Sequence, residues 1–252
     1  DANSKYFHAV IRGKRNRMAI HKLMDDSGNW INGEEQIARH ACDYYEEIFT
    51  GKNEKIKEET LQCINTSITQ EQNKKLDRLP NEDELRKIIM SMNPNSAPGP
   101  DGFGGKFYQS CFGIIKNDLL AAVKYFYSGN PMPKYMTHSC LILLPKVDHP
   151  CKIKEFRPIS LSNFSNKIIS KIMSTRLASI LPCIVSETQS GFVKGRNISE
   201  NILLAQEIIH GIKKPREGSN VVIKLDMEKA YDRVSWNYTC LLYTSPSPRD
   251  KR

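Results

Sequence analysis

The sharpest chemical signal in the sequence is a carboxylate at the end of a β-branched run, Val221-Val222-Ile223-Lys224-Leu225-Asp226. Strand side chains alternate between faces, so Val221, Ile223 and Leu225 share one side and Val222, Lys224 and Asp226 the other. Where a strand opens into a cleft, such an aspartate can hold a cation. It can equally cap a helix that starts at Met227, a place that suits Asp well. The spacing leaves both readings open. A second candidate is the Pro/Gly-rich run from Ser96 to Gly105. Gly99 and Gly104 have the spacing of a phosphate-binding P-loop. Gly105 stands where that motif needs lysine, Lys106 comes one place late and Phe107 replaces Ser/Thr, so this reading is rejected. The seven cysteines form no Cys-x-x-Cys pair and the six histidines no His-Glu-x-x-His set, which argues against a zinc module.

The charge is uneven. Lys and Arg outnumber Asp and Glu by 37 to 28, a formal net charge of +9. Residues 34–90 hold nine basic and thirteen acidic residues, a net of −4, whereas residues 141–216 hold twelve and five, a net of +7. A basic block on an acidic frame is the footprint of a polyanion-binding face, although a solvated surface has the same composition. An odd, scattered set of cysteines predicts reduced thiols and an intracellular protein. No charged-then-apolar leader and no apolar run of about 18 residues is present, so no secretion or membrane insertion is expected. The sequence opens on Asp1, not methionine, and is expected to be a piece of a longer protein.

The elements that must position these residues are legible as patterns. Residues 1–33 are basic, with Arg12, Lys14, Arg15 and Arg17 close together, and a turn cluster at 25–29 precedes a short strand at Trp30 and Ile31. Ile37, Ala41, Tyr44, Tyr45 and Ile48 have helical spacing. Asn81 with Glu84 predicts a capping box, followed by a helix face of Leu85, Ile88, Ile89 and Met92. Residues 93–105 read as a loop, with helices near 106–111 and 113–128. Leu141–Leu144 and Phe156–Leu161 predict paired antiparallel strands. Ile168 to Leu181 predicts a strong helix, a second runs through Ile202 and Ile209 with Ser199 as its cap, and Val221–Asp226 predicts a strand.

Four segments in order carry a resemblance. Asp226-Met227-Glu228-Lys229-Ala230-Tyr231-Asp232-Arg233-Val234-Ser235-Trp236 is similar to motif A of the non-LTR (LINE-type) retrotransposon reverse transcriptases. Leu144-Pro145-Lys146 with Phe156-Arg157-Pro158-Ile159-Ser160-Leu161 resembles their fingers hairpin. Gln189-Ser190-Gly191-Phe192-Val193-Lys194-Gly195-Arg196 resembles the motif that follows, and Ser96-Ala97-Pro98-Gly99-Pro100-Asp101-Gly102-Phe103 their N-terminal extension loop. Residues 4–49 resemble the connector between endonuclease and polymerase in plant LINE proteins. The resemblance implies that Asp226 is the catalytic metal ligand, with the Met227 carbonyl beside it, and that Tyr231 gates the nucleotide sugar. Asp232 is expected to be structural. Lys146 and Arg157 would converge on the triphosphate, lysine as a point charge and arginine as a fork. Gln189, Gly191, Lys194 and Arg196 would lie near template and incoming nucleotide, with Lys194 and Arg196 facing phosphate, and Gly99 and Asp101 would help hold the template.

The expected fold class is α/β (α+β): a helix-rich fingers region with a short antiparallel hairpin, plus the first strand of a truncated polymerase palm. The expected divisions are a connector (1–60), an N-terminal extension (61–135), fingers (136–218), the start of the palm (219–240) and a non-native tail (241–252). The implied parent function is RNA-directed DNA synthesis with an RNA template, a DNA primer, deoxynucleoside triphosphates and Mg²⁺. Two-metal nucleotidyl transfer needs several carboxylates around ions about 3.5–4 Å apart. The family takes further aspartates from a Tyr-x-Asp-Asp string, which this sequence lacks, so the chain alone is expected to be inactive. The rival expectation is a nucleic-acid-binding module without catalysis.

Overall fold

A computed structural model of the chain describes residues 5–50, 68–212, 221–225 and 234. It divides into two compact units. The first joins the described part of residues 1–65 to residues 141–159. Its elements are α1 (Lys5–Met18), β1 (Lys22–Met24), β2 (Trp30–Asn32) and α2 (Glu34–Thr50). β1 and β2 pair antiparallel, Leu23 opposite Ile31. The Asp25 carboxylate closes their turn by accepting the Asn29 N–H at 2.8 Å, and the Lys22 ammonium sits 4.3 Å from the centre of the Trp30 ring. Glu34 and Glu35 open α2, where negative charge favours the helix N-terminus. Its apolar stripe buries Ile37 and Tyr45 against Leu23, Ile153 and Phe156. Residues expected to be a connector therefore share a core with the middle of the chain. The Met24 N–H donates to the Cys151 carbonyl at 2.7 Å, a second tie.

β3 (Ser139–Pro145) and β4 (Phe156–Ser162) form the expected antiparallel pair. A 3-10 turn, Ile153–Glu155, leads into β4. The Glu155 carboxylate accepts the N–H groups of Cys151 and Lys152. Those bonds, the Cys151 one foremost, lower its pKa below the usual range.

The second unit joins the described part of residues 66–140 to residues 160–224. It contains α3 (Gln70–Asp77), α4 (Glu82–Ser91), α5 (Gly105–Ser110), α6 (Phe112–Tyr127), α7 (Lys134–Thr137), α8 (Phe164–Leu177), α9 (Leu181–Ile184) and α10 (Ile198–Ile212). Leu85, Ile88 and Ile89 of α4 meet Ile168, Ile169 and Ile172 of α8, with Phe112, Leu119 and Val123 of α6 completing the core. Each such side chain, fully buried, contributes about 1.5–3 kcal/mol. Tyr108 stacks on Phe164 with ring centres 4.9 Å apart. No described helix is long and apolar enough to cross a membrane.

The structure alters four local expectations. Asn81 caps α4 through Glu84 N–H at 2.9 Å, but the Glu84 carboxylate does not complete a capping box. It is taken by Arg176, whose Nε and Nη2 donate to its two oxygens, each at 2.8 Å. Asn197, not Ser199, caps α10, its side-chain oxygen accepting the Ser199 N–H at 3.1 Å. The helix expected from Ile168 to Leu181 ends at Leu177. Pro182 has no N–H to continue the ladder, and it lies in the first turn of α9, which begins at Leu181. Val221–Leu225 is not in a strand, and its apolar side chains are between 60% and 87% exposed. β-branched residues favour a pleated, half-buried surface, and among the described residues no strand pairs with this segment to provide one.

The Arg176–Glu84 pair gives a testable pH dependence. The Arg176 hydrogen bonds hold the Glu84 carboxyl below its ordinary pKa. A depressed carboxylate stabilises the fold above its unfolded pKa and loses that contribution as pH falls through the lower, folded one. Glu84→Gln should therefore cost about 1–2 kcal/mol near neutral pH. Thermal melts of the two proteins should converge as the pH falls through the lowered pKa of the folded state.

Candidate nucleic-acid interface

The Pro/Gly loop is held by one buried side chain. Asn163, 3% exposed, stands between β4 and α8. Its oxygen accepts the Asp101 N–H at 3.2 Å, and its nitrogen donates to the Tyr135 carbonyl at 2.9 Å. Gly99 packs so closely here that a Cβ would lie 2.4 Å from the Asn163 N and Oδ1. The Asp101 carboxylate turns back to accept the Phe103 N–H at 3.0 Å. Gly99 and Asp101 thus have local structural work that builds the loop. Lys167 of α8 donates to the Ala97 carbonyl at 2.7 Å and ties the loop's other limb.

Beside this loop lies a cleft of about 600 Å³ with Ser91, Asn93, Ser96, Ser162, Asn166, Ser170, Lys171 and Ser174 in its wall and no carboxylate. The Ser96 hydroxyl is buried without a partner among the described residues. Sequence reasoning missed this cleft. Its signal was the polar face of α8, Asn166, Lys167, Ser170, Lys171 and Ser174, at helical spacing opposite the buried isoleucines.

In the first unit, Lys146 directly follows β3 and Arg157 is the second residue of β4. The Lys146 N–H donates to the Glu155 carbonyl at 2.8 Å, which sets the register beside Arg157. Both side chains are exposed. The Lys146 ammonium uses one of its three donors on the Lys154 carbonyl at 3.1 Å.

The segment 189–196 is a clamped loop. Arg196 directs Nη1 to the carbonyls of Ser186 and Gln189 and Nη2 to those of Pro182 and Val185. Four of its five N–H donors are thereby engaged on main-chain carbonyls between Pro182 and Gln189, so the guanidinium ties the loop to the segment before it. The Asn201 amide adds bonds to the Thr188 carbonyl at 2.8 Å and the Ser190 hydroxyl at 3.0 Å. Val193 is buried, while Gln189 and Lys194 are exposed and Gly191 is half-buried. Phe192 was not singled out from sequence, yet it is 92% exposed and sits at φ +64°, a left-handed conformation uncommon for a side-chain-bearing residue.

Residues 144–247 match the family Reverse transcriptase (RNA-dependent DNA polymerase). The chain is also 29% identical over 242 residues to the Transposon TX1 uncharacterized 149 kDa protein of Xenopus laevis, covering 94% of this chain and 18% of that protein. It is 26% identical over 155 residues to the Retrovirus-related Pol polyprotein from type-2 retrotransposable element R2DM of Drosophila melanogaster, covering 61% and 14%. Over residues 144–247 the chain is thus similar to reverse transcriptases, and both relatives are named for transposable elements. It spans under a fifth of the length of these relatives. Three of the four motif segments fall within the matched reverse-transcriptase region. Asp226, Met227 and Tyr231 lie outside the described residues. Among the described residues, no group of three His, Cys, Asp or Glu side chains is placed to hold a metal.

Two substitutions separate the structural duties of these two loops. Gly99→Ala should destabilise the fold by about 1–3 kcal/mol, because the Asn163 backbone must give way. Arg196→Lys keeps the charge but cannot span four carbonyls, and should cost about 1–2 kcal/mol. Both are read as a fall in the midpoint of thermal unfolding at unchanged net charge.

Proposed function

We propose that this chain forms the fingers and template-facing part of an RNA-directed DNA polymerase and, by itself, binds nucleic acid without polymerising. The observation that carries the reading is the match of residues 144–247 to the reverse transcriptase family. In that reading Lys146 and Arg157, exposed on adjoining arms of one hairpin, meet the triphosphate of the incoming deoxynucleotide. Gln189, Gly191 and Lys194 lie along the template, and Arg196 acts through the loop it clamps. Gly99 and Asp101 shape the extension loop beside the cleft of α4 and α8, whose wall carries serines, asparagines and lysine. Hydroxyl and amide donors with Lys171, and no opposing carboxylate, suit a phosphate–sugar backbone. Tyr231 would gate the sugar.

Asp226 and the Met227 carbonyl are hard oxygen donors of the type Mg²⁺ takes, with water and substrate phosphates filling its remaining positions. Mg²⁺ would supply charge stabilisation at the transferring phosphoryl group. One carboxylate is short of a two-metal set, and no Tyr-x-Asp-Asp string occurs in the sequence. The parent's RNA template, DNA primer and deoxynucleotides are the implied partners.

The test is a primer-extension assay on an RNA template, run beside a fluorescence-anisotropy titration of labelled RNA at two salt concentrations. Binding that weakens steeply with salt, without incorporation, is the expected result, because phosphate neutralisation releases counterions. Incorporation that Asp226→Ala abolishes would show that the chain is active alone. Absence of RNA binding at either salt concentration would remove the nucleic-acid reading altogether.

A further inference from the structure

The helix α1 takes no part in the site described above, and its surface chemistry is distinct. Its fourteen residues include five Lys or Arg and no Asp or Glu. The next helix, α2, has the opposite balance, with Glu34, Glu35, Asp43, Glu46 and Glu47 against Arg39 alone. The positive charge of the first unit's N-terminal part is therefore concentrated on one element.

Its distribution is regular. Lys5, His8, Arg12 and Arg15 follow the spacing i, i+3, i+7, i+10 and form one row along the helix. At about 1.5 Å per residue the row is about 15 Å long. These four side chains are exposed, and none of the salt bridges among the described residues uses Lys5, Lys14, Arg12 or Arg15. Lys5, Arg12 and Arg15, unneutralised in one row, have the charge complementarity that a phosphodiester chain requires.

The other side of α1 carries Tyr6, Phe7, Val10 and Ile11, all exposed. An amphipathic basic helix can also lie on a lipid surface, which needs a continuous apolar face. Here Lys14 falls in the middle of that face and Gly13 thins its edge. The row of Lys5, His8, Arg12 and Arg15 is the better-formed feature.

We infer that α1 is a second nucleic-acid contact, separate from the polymerase motifs, in which Lys5, His8, Arg12 and Arg15 track a phosphate backbone. The inference rests on the reading that this chain binds nucleic acid, and its test separates the two. Anisotropy of a labelled single-stranded oligouridylate is measured across a salt series for the full chain and for the triple variant Lys5→Gln, Arg12→Gln, Arg15→Gln. Each lost phosphate contact lowers the log–log salt slope by about 0.7, so the triple variant should lose about 2 from the slope. Lys5→Arg with Arg12→Lys and Arg15→Lys should keep the wild-type slope. Circular dichroism and melting temperature should not change, because these side chains bury nothing. If the wild type shows salt-dependent binding and the glutamine variant matches its slope, α1 is not a contact and the inference is overturned. If the wild type does not bind, the proposed function fails first. Phosphatidylserine–phosphatidylcholine vesicles provide the last arm. Loss of vesicle binding with unchanged RNA slope in the glutamine variant would assign α1 to lipid and overturn the inference.

Discussion

The buried amide of Asn163 is the constraint on which the helical second unit depends. It stands at the junction of β4 and α8, and its two polar atoms reach the Asp101 N–H and the Tyr135 carbonyl. A Pro/Gly loop has no ladder of its own, so its shape must be imposed from outside. Asn163 imposes it at one point, and the missing Cβ of Gly99 lets the backbone come close enough. Removing the amide would leave a donor and an acceptor unpaired in a partly buried place, a larger loss than the bonds themselves contribute. The loop, α7 and the end of the fingers hairpin are in this way held to α8, whose apolar face is anchored in the α4–α6–α8 core.

Charge in this protein divides into two kinds. Arg176 and Arg196 lie in the basic block, yet both guanidinium groups are spent on main-chain carbonyls, and Arg176 also on Glu84. Lysines such as Lys146 and Lys171 remain exposed. The planar arginine fork suits fixed clamps, and the flexible ammonium suits a diffuse anionic partner. The +7 of residues 141–216 still sets the long-range field. The cations that can touch a phosphate directly are fewer than that count implies. This is why Arg196, attractive as a phosphate ligand from its motif, is better understood as the brace that presents Gln189, Phe192 and Lys194.

The architecture also joins distant parts of the chain. Leu23 and Ile37, from the segment that resembles a connector, share a core with Ile153 and Phe156, which lie just before Arg157. The residues next to a candidate triphosphate contact are thus stabilised by a segment more than a hundred positions earlier in the chain. β1, at Lys22–Met24, is the element this arrangement needs, and it was invisible as a pattern. Three residues are too few to show a period of two.

The sequence by itself determined the elements whose signals are local: the spacing of α2, α4 and α6, the hairpin of β3 and β4, and the ordered motifs that mark the family. Those depend on periodicity and on residue identity at fixed offsets, which a linear chain displays directly. It did not determine which polar side chain serves which purpose. Asn163 occupies a helix-cap position, but it makes no cap bond and reaches across 62 residues to Asp101. Glu84 fits a capping box and is claimed instead by Arg176, 92 residues away. A side chain with several available partners takes the ones that burial brings near, and burial is a property of the folded chain. The same reason explains Val221–Leu225. Its strand propensity was plain, but a strand is completed only by a neighbour's hydrogen bonds, and among the described residues none pairs with it.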